Sequence, residues 1–202
     1  GRVYVQSNHD YVPDTQVYAL ALDGSSASAP QRISKEDGTH TATFAEDASF
    51  YLDTFSHPET PPQVSLRKAD GSLIQWIERN SLDAKHPYAP YRDQQPKPEF
   101  GTLTAADGQE LHYRLFKPAG FDAARRYPVF IFYYGGPTVQ KVVRAGAGGT
   151  GSAAQQTHFL EYMAQQGYVV FTVDNRGTPR RGAAFGGALY GKQGTVEVDD
   201  QR

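Results

Sequence analysis

The stretch Y-P-V-F-I-F-Y-Y-G-G-P, residues 127–137, decides the fold. Val129 to Tyr134 is a nearly continuous apolar and aromatic run of strand length, the pattern of a central strand buried on both faces. Gly135-Gly136-Pro137 stops it. Downstream, residues 155–166 place Phe159, Leu160 and Met163 at helical spacing, and Gly167 follows in the position of a helix C′ residue. Tyr168 to Val173 (Y-V-V-F-T-V) is a second buried run. Strand, helix and strand in this order predict a βαβ crossover and a parallel sheet. Leu111 to Phe116 reads as a further strand. Sites in such sheets form in the loops at the carboxyl ends of the strands. Here those loops are Gly135-Gly136-Pro137 and Asp174-Asn175-Arg176-Gly177.

The first half has a different period. Val17 to Leu22 alternates, with Tyr18, Leu20 and Leu22 on one face, as a half-buried strand does. Further short β-rich runs follow, broken by Asp37-Gly38, His57-Pro58, Pro61-Pro62 and Asp70-Gly71. Two groups emerge. Val3–Gln6 pairs with Gln16–Leu22. Thr41–Phe44, Phe50–Phe55, Val64–Arg67 and Leu73–Ile77 make a four-strand unit. Short strands without helices indicate a sandwich, barrel or propeller. Residues 83–99 carry Pro87, Pro90, Pro96 and Pro98 with little periodicity and read as a connector. A domain boundary is expected near Lys97, leaving 1–96 as the β part with its linker and 97–202 as the α/β part. Residues 1–5 begin inside a strand and Thr195 to Arg202 reads as a short helix, so the chain is expected to be a piece of a longer protein.

Composition narrows the function. The 202 residues carry 20 Lys and Arg against 22 Asp and Glu, a net charge of −2, which argues against nucleic acid as the main partner. With no cysteine, disulfides, thiol nucleophiles and thiolate zinc sites are excluded. No apolar run is long enough to span a membrane as a helix. The six histidines (9, 40, 57, 86, 112, 158) have no metal-ligand spacing. Nothing calls for a metal or a cofactor.

Four segments bear on chemistry, each with a bland alternative. A Tyr134 hydroxyl and open backbone at a strand end could stabilise an oxyanion; the alternative is a strand-terminal tyrosine and an ordinary turn. Asp174 to Gly177 could place a guanidinium near a site, or could hold an ion pair that ties down a loop. Ala145 to Ser152 (A-G-A-G-G-T-G-S) looks like a phosphate cradle but lacks the Lys-Ser/Thr that follows one, and reads as a flexible loop. Glu197, Asp199 and Asp200 read as a solvated helix face. Thr150 and Ala154 stand where a G-x-S-x-G elbow around Ser152 would need glycine, so no nucleophile elbow is present.

The order of the parts carries a resemblance. F-G-T-L-T-A-A-D-G-Q-E-L-H-Y-R-L-F-K-P (100–118), Y-P-V-F-I-F-Y-Y-G-G-P (127–137), G-Y-V-V-F-T-V-D-N-R-G (167–177) and G-T-V-E-V-D-D-Q (194–201) follow one another. The chain resembles the prolyl oligopeptidase family of serine peptidases, and most of all its dipeptidyl peptidase IV branch. The resemblance is close in the second half and looser in the first. It implies the last blades of a β-propeller followed by the N-terminal half of an α/β-hydrolase domain, truncated before the nucleophile. It implies release of X-Pro or X-Ala dipeptides from peptide substrates. Tyr134 matches the family's oxyanion-hole tyrosine. The Ser, Asp and His of the triad, and the glutamate pair that holds the substrate amino group, would lie outside the chain. The absence of cysteine and the habit of the family together favour a periplasmic or secreted home, with the cytoplasm left open, and the resemblance allows a homodimer through regions outside the chain. Another hydrolase of the same fold, such as an acylaminoacyl peptidase or esterase, and a non-catalytic propeller interaction module are the competing readings.

Overall fold

The computed structural model describes residues 1–23, 30–146 and 156–202. These fall into two compact units, Gly1–Pro87 with Arg144–Gly149, and Tyr88–Val143 with Thr150–Arg202. The first division lies some residues before Lys97, because the proline-rich segment contributes a 3-10 turn at Ala89–Gln94 and then strand β8 to the second unit.

In the first unit, β1 (Arg2–Ser7), β2 (Gln16–Ala21) and β3 (Gln31–Arg32) form one antiparallel sheet in that order. A second contains β4 (Thr39–Phe44), β5 (Phe50–His57), β6 (Thr60–Lys68) and β7 (Leu73–Glu78), also in sequence order. The expected strand groups therefore hold. The expected face of β2 does not: Val17, Tyr18 and Ala19 are all buried, while Leu22 lies past the strand and is 67% exposed. Four consecutive buried residues, Gln16 to Ala19, show that β2 is covered on both faces. Val17, Ala19, Ile33 and Tyr51 form the core between the sheets. Tyr4, Phe44 and Tyr51 stack in a row with centroids 4.4 and 4.7 Å apart, pairs that contribute beyond their buried area.

A charged cluster is buried beside that core. Both oxygens of Asp53 face His40 Nδ1, at 2.9 and 3.1 Å, and His40 Nε2 faces the Glu36 carbonyl at 2.9 Å. Arg67 Nε lies 3.1 Å from Asp53 and donates to Ser65, while its Nη1 donates to the Gly71 carbonyl. The side chains of His40 and Asp53 have no exposure. Arg144 also belongs to this unit and grips Asp14 with two hydrogen bonds of 2.7 and 2.5 Å. Its neighbours Ala145 and Gly146 are buried, with the Gly146 amide donating to Ser56. The flexible-loop expectation for 145–152 thus fails at its first two residues, and the remainder, with Ser152, lies outside the described residues.

In the second unit, β8 (Pro98–Thr104) and β9 (Glu110–Phe116) form a hairpin. Proline at the first residue of β8 is tolerated because β8 is an edge strand. Next come β10 (Val129–Ile131), α1 (Thr157–Gln165) and β11 (Val169–Val173), with strand order β10-β11-β9-β8. The β10/β11 pair is parallel, as the crossover requires, but β11 and β9 are antiparallel. The expected parallel sheet is therefore mixed, because the tight β8–β9 hairpin reverses the chain. Leu160 and Ala164 of α1 pack on Phe116 and Val170. On the opposite face Phe185, from α2 (Gly182–Gly186), packs on Leu111 and Val173. Gly167 closes α1 at φ +93°, with Gly167 N–H to Ala164 and Tyr168 N–H to Met163, a Schellman pair. Phe159 does not join the buried stripe and is half exposed.

One expectation for residues 129–134 changes: the strand ends at Ile131, and among the described residues β10 is hydrogen-bonded on one side, to β11. With no partner on its outer edge among the described residues, Val129 and Ile131 are 58% and 53% exposed. No helix among the described residues is long and apolar enough to cross a membrane.

The carboxyl ends of β10 and β11 are tied together by Asp174. Its carboxylate is buried and accepts the Lys141 and Val142 amides, each at 2.9 Å. Asn175 Nδ2 adds a bond to the Gly135 carbonyl at 3.3 Å. The residues just past β11 thus hold both ends of the 135–142 loop. Burial pushes the Asp174 carboxyl up from 3.8 to about 6, against the pull of the two amides and of Arg114 and Arg181.

Two outcomes follow. Replacing Asp53 by Ala strands the buried Arg67 and His40, and equilibrium denaturation of the purified chain should show a loss of about 3–5 kcal/mol; a loss below about 1 kcal/mol would mean the cluster is not coupled to folding. For Asp174 the folded pKa lies above the unfolded one, so its contribution is most favourable below pH 4 and declines as pH rises through 4 to 6. The ionised form then costs about 3 kcal/mol relative to the acid. Isotope-edited infrared spectra should place the Asp174 midpoint near pH 6, and Asp174→Asn should remove that slope from the pH–stability curve. A midpoint below 4 would contradict this.

Candidate active site

Past β10 the Phe132 amide still bonds to the Phe171 carbonyl at 2.9 Å, and the chain then leaves the sheet. Tyr134 projects from this end with its side chain about half exposed. Gly135 adopts φ +78°, a left-handed conformation that favours glycine. Gly136 serves a different need: a Cβ there would come within 2.9 Å of Tyr134 Cε1. The glycines therefore let the loop fold back under the tyrosine ring. Tyr134 Oη lies 2.8 Å from Thr138 Oγ1. Lys141 Nζ sits 5.4 Å from the Tyr134 ring centroid and 5.5 Å from that of Phe132, within cation–π range. The phenol is thus held by its own loop, with an edge open to solvent. A hydroxyl placed in this way can donate to an oxygen on which negative charge develops.

Lys141 was not legible as part of this site. It is a lone lysine in a loop, yet its side chain is buried and Nζ donates to Gln156 Oε1 at 2.7 Å. Burial, helped by the nearby Arg114 charge, lowers its pKa, with Asp174 opposing. Arg114 itself is buried beneath the sheet end. Its Nη1 reaches Thr157 at 3.5 Å, and burial depresses its pKa to about 10 against the attraction of Asp174 and Glu161.

Arg176 follows its bland alternative and ties down a loop. Its backbone amide, Nε and Nη2 all bond to Asp200, at 2.6–3.1 Å, and its Nη1 pairs with Asp107. The hydrogen bonds to Asp200 raise its pKa, against a smaller desolvation effect. The solvated-face expectation for the last helix, α3 (Val196–Asp200), fails at Asp200, whose side chain has no exposure. Gln201 beside it bonds to the Val173 carbonyl and to Asn175 Oδ1. The acidic end of α3 therefore buttresses the Asp174–Arg176 loop, which in turn holds the Tyr134 loop. His112 and His158 pair with Glu110 and Glu161, away from the tyrosine's partners. Residues 97–202 contain one serine, Ser152, outside the described residues.

Known proteins resemble this chain in both of its halves. The profile of the prolyl oligopeptidase family matches residues 154–202, and that of the dipeptidyl peptidase IV N-terminal region matches residues 1–62. Dipeptidyl peptidase 8 of Homo sapiens is 31% identical over 176 residues, covering 84% of this chain and 18% of the relative. Dipeptidyl peptidase 4 of Trichophyton equinum is 26% identical over 202 residues, 98% of this chain and 25% of the relative. The crystal structure of Porphyromonas gingivalis dipeptidyl peptidase 4 superposes with a TM-score of 0.83 at 29% identity, covering all of this chain and 26% of that one. The chain thus spans about a quarter or less of the length of the proteins it matches. With both profiles in chain order and relatives aligned across nearly all of its length, the chain belongs to the prolyl oligopeptidase family, on its dipeptidyl peptidase branch.

Proposed function

We propose that this chain is part of a serine-type dipeptidyl peptidase that releases N-terminal dipeptides, X-Pro or X-Ala, from peptide substrates. Residues 1–96 are read as the last blades of a β-propeller with its linker. Residues 97–202 are read as the N-terminal half of an α/β-hydrolase domain that ends before its nucleophile. One feature of the first unit favours the propeller. The face of the β4–β7 sheet opposite its core carries Phe50 and Leu52, 44% and 42% exposed, with Leu66 paired to Leu52. An apolar sheet face of this kind suits a blade on which another blade packs. A periplasmic or secreted location is part of the same reading.

The observation that carries the catalytic reading is Tyr134, a half-exposed phenol on a braced glycine loop at the carboxyl end of a parallel strand. In this reading a serine outside the chain attacks the scissile carbonyl. Its proton passes to a histidine, also outside the chain, which later gives a proton to the leaving amine. The Tyr134 hydroxyl donates a hydrogen bond to the oxygen as it becomes an oxyanion. That bond strengthens in the transition state and so acts mainly on kcat.

The 202-residue chain alone should not hydrolyse Gly-Pro or Ala-Pro anilides, because in this reading the serine and histidine that make the acyl intermediate lie outside it. Turnover by the purified chain, with contaminating peptidase excluded, would show that the nucleophile lies inside it. In the full-length enzyme, Tyr134→Phe should lower kcat by about 10²–10³, roughly 2.7–4 kcal/mol, with little change in KM. The melting curve should stay native, since the ring that packs on Gly136 remains. An unchanged kcat would make Tyr134 a packing residue.

A further inference from the structure

We propose that Lys141 is a positioning residue for Tyr134, whose ammonium orients the ring and strengthens its hydroxyl as a donor to the developing oxyanion. The proposal rests on the reading of Tyr134 as that donor, and goes beyond it by naming the charge that supports it.

Four observations converge on Lys141. Its side chain is buried, although lysine is among the residues least often found fully buried without a partner. Its Nζ has no carboxylate partner within ion-pair distance among the described residues; it donates instead to the neutral amide of Gln156 at 2.7 Å. Its ammonium lies over two aromatic rings, those of Phe132 and Tyr134, at 5.5 and 5.4 Å. Its backbone amide is fixed by Asp174, so the stem starts from a rigid point. A lysine needed only to fill space would be replaceable by methionine, which avoids the cost of burying a charge. The charge here meets the π-face of the residue on which the oxyanion reading depends.

The consequence is electrostatic. A cation over the phenol ring leaves the ground-state ring in place by cation–π attraction. As the substrate oxygen gains negative charge and draws on the Tyr134 proton, the same cation stabilises the negative charge shared between the two oxygens. Because the Lys141 side chain is buried, that attraction is stronger than it would be in bulk solvent. The gain is larger in the transition state than with bound substrate, so it should appear in kcat rather than in KM. No proton leaves Lys141 in this scheme, and no bond is made to it.

The other charges facing this ammonium are Arg114, which opposes its protonation, and Asp174, which favours it. Gln156 is the neutral acceptor that fixes its direction. These partners are all held by the sheet end and α1, so a loss of the charge should not by itself displace the loop.

The test is a double-mutant cycle in the full-length enzyme, read as kcat, KM and melting temperature. Lys141→Met keeps an unbranched stem one atom shorter and removes the charge; Lys141→Gln also removes the charge but keeps an N–H donor for Gln156, and serves if the methionine variant does not fold. Either should lower kcat about tenfold with KM within about twofold, and Lys141→Arg, which restores a cation over the ring, should recover most of that loss. In a Tyr134→Phe background the same substitutions should cost less than about twofold more, because the hydroxyl they assist is gone. Loss for Tyr134→Phe with native kcat for Lys141→Met or Lys141→Gln would overturn the positioning role and leave the oxyanion reading standing. So would losses that multiply in the double variant, or an arginine variant as slow as the neutral ones. A native kcat for Tyr134→Phe would remove the oxyanion reading, and this proposal with it.

Discussion

The second unit depends on one buried carboxylate. Asp174 stands at the end of β11 and accepts two consecutive backbone amides, of Lys141 and Val142, from a loop that begins at the end of β10. Without those acceptors, two amides inside the protein would lack partners, a cost of about 1–3 kcal/mol each. With them, a loop of eight residues is pinned at its far end, while Asn175 pins its near end through the Gly135 carbonyl. The Asp174 charge is itself unfavourable where it sits, which is why its pKa is raised. A costly buried group at the end of a parallel strand, holding a loop with an open tyrosine, is the pattern expected where stability has been exchanged for a defined geometry.

The bracing is layered. Tyr134 rests on Gly136, Thr138 and Lys141; these rest on Asp174 and Asn175; that pair is continuous with Arg176, which is gripped by Asp200 of α3. Each layer uses hydrogen bonds to backbone or charged pairs rather than apolar contact alone, and such bonds fix direction as well as distance. The first unit uses the same device for a different end. There Asp53, His40 and Arg67 cross-link strands β4, β5 and β6 inside the core, where misplacing any one would strand the others.

Much of this architecture is legible in the sequence, and the failures have physical causes. The turn pairs and short alternating runs placed every strand of the first unit except β3, which is two residues long. The βαβ unit was readable because V-V-F-T-V and the 155–166 segment differ in period. Val129 to Tyr134 overstates the strand's length, because the apolar run continues past Ile131 where the chain leaves the sheet toward the Gly135 turn. β8 was hidden by the prolines around it, since composition marks a linker equally well when an edge strand begins there. Tyr134 could be singled out by its place before two glycines. Lys141, Asp174 and Asp200 could not be assigned their parts, because a lysine, an aspartate after a strand and an acidic helix end are ordinary on the surface. Their burial and their partners across 24 to 33 residues of sequence are what distinguish them.

The claim that this braced tyrosine faces the reacting oxygen is open to direct observation. A crystal structure of the full-length enzyme with a dipeptide boronic acid or phosphonate on its serine would carry a tetrahedral oxyanion mimic in the site. The account predicts Tyr134 Oη about 2.7–3.1 Å from an oxygen of that group, with Thr138 released or shared and Lys141 Nζ still over the ring. A Tyr134 hydroxyl that stays bonded to Thr138 and turned away from the adduct would contradict it.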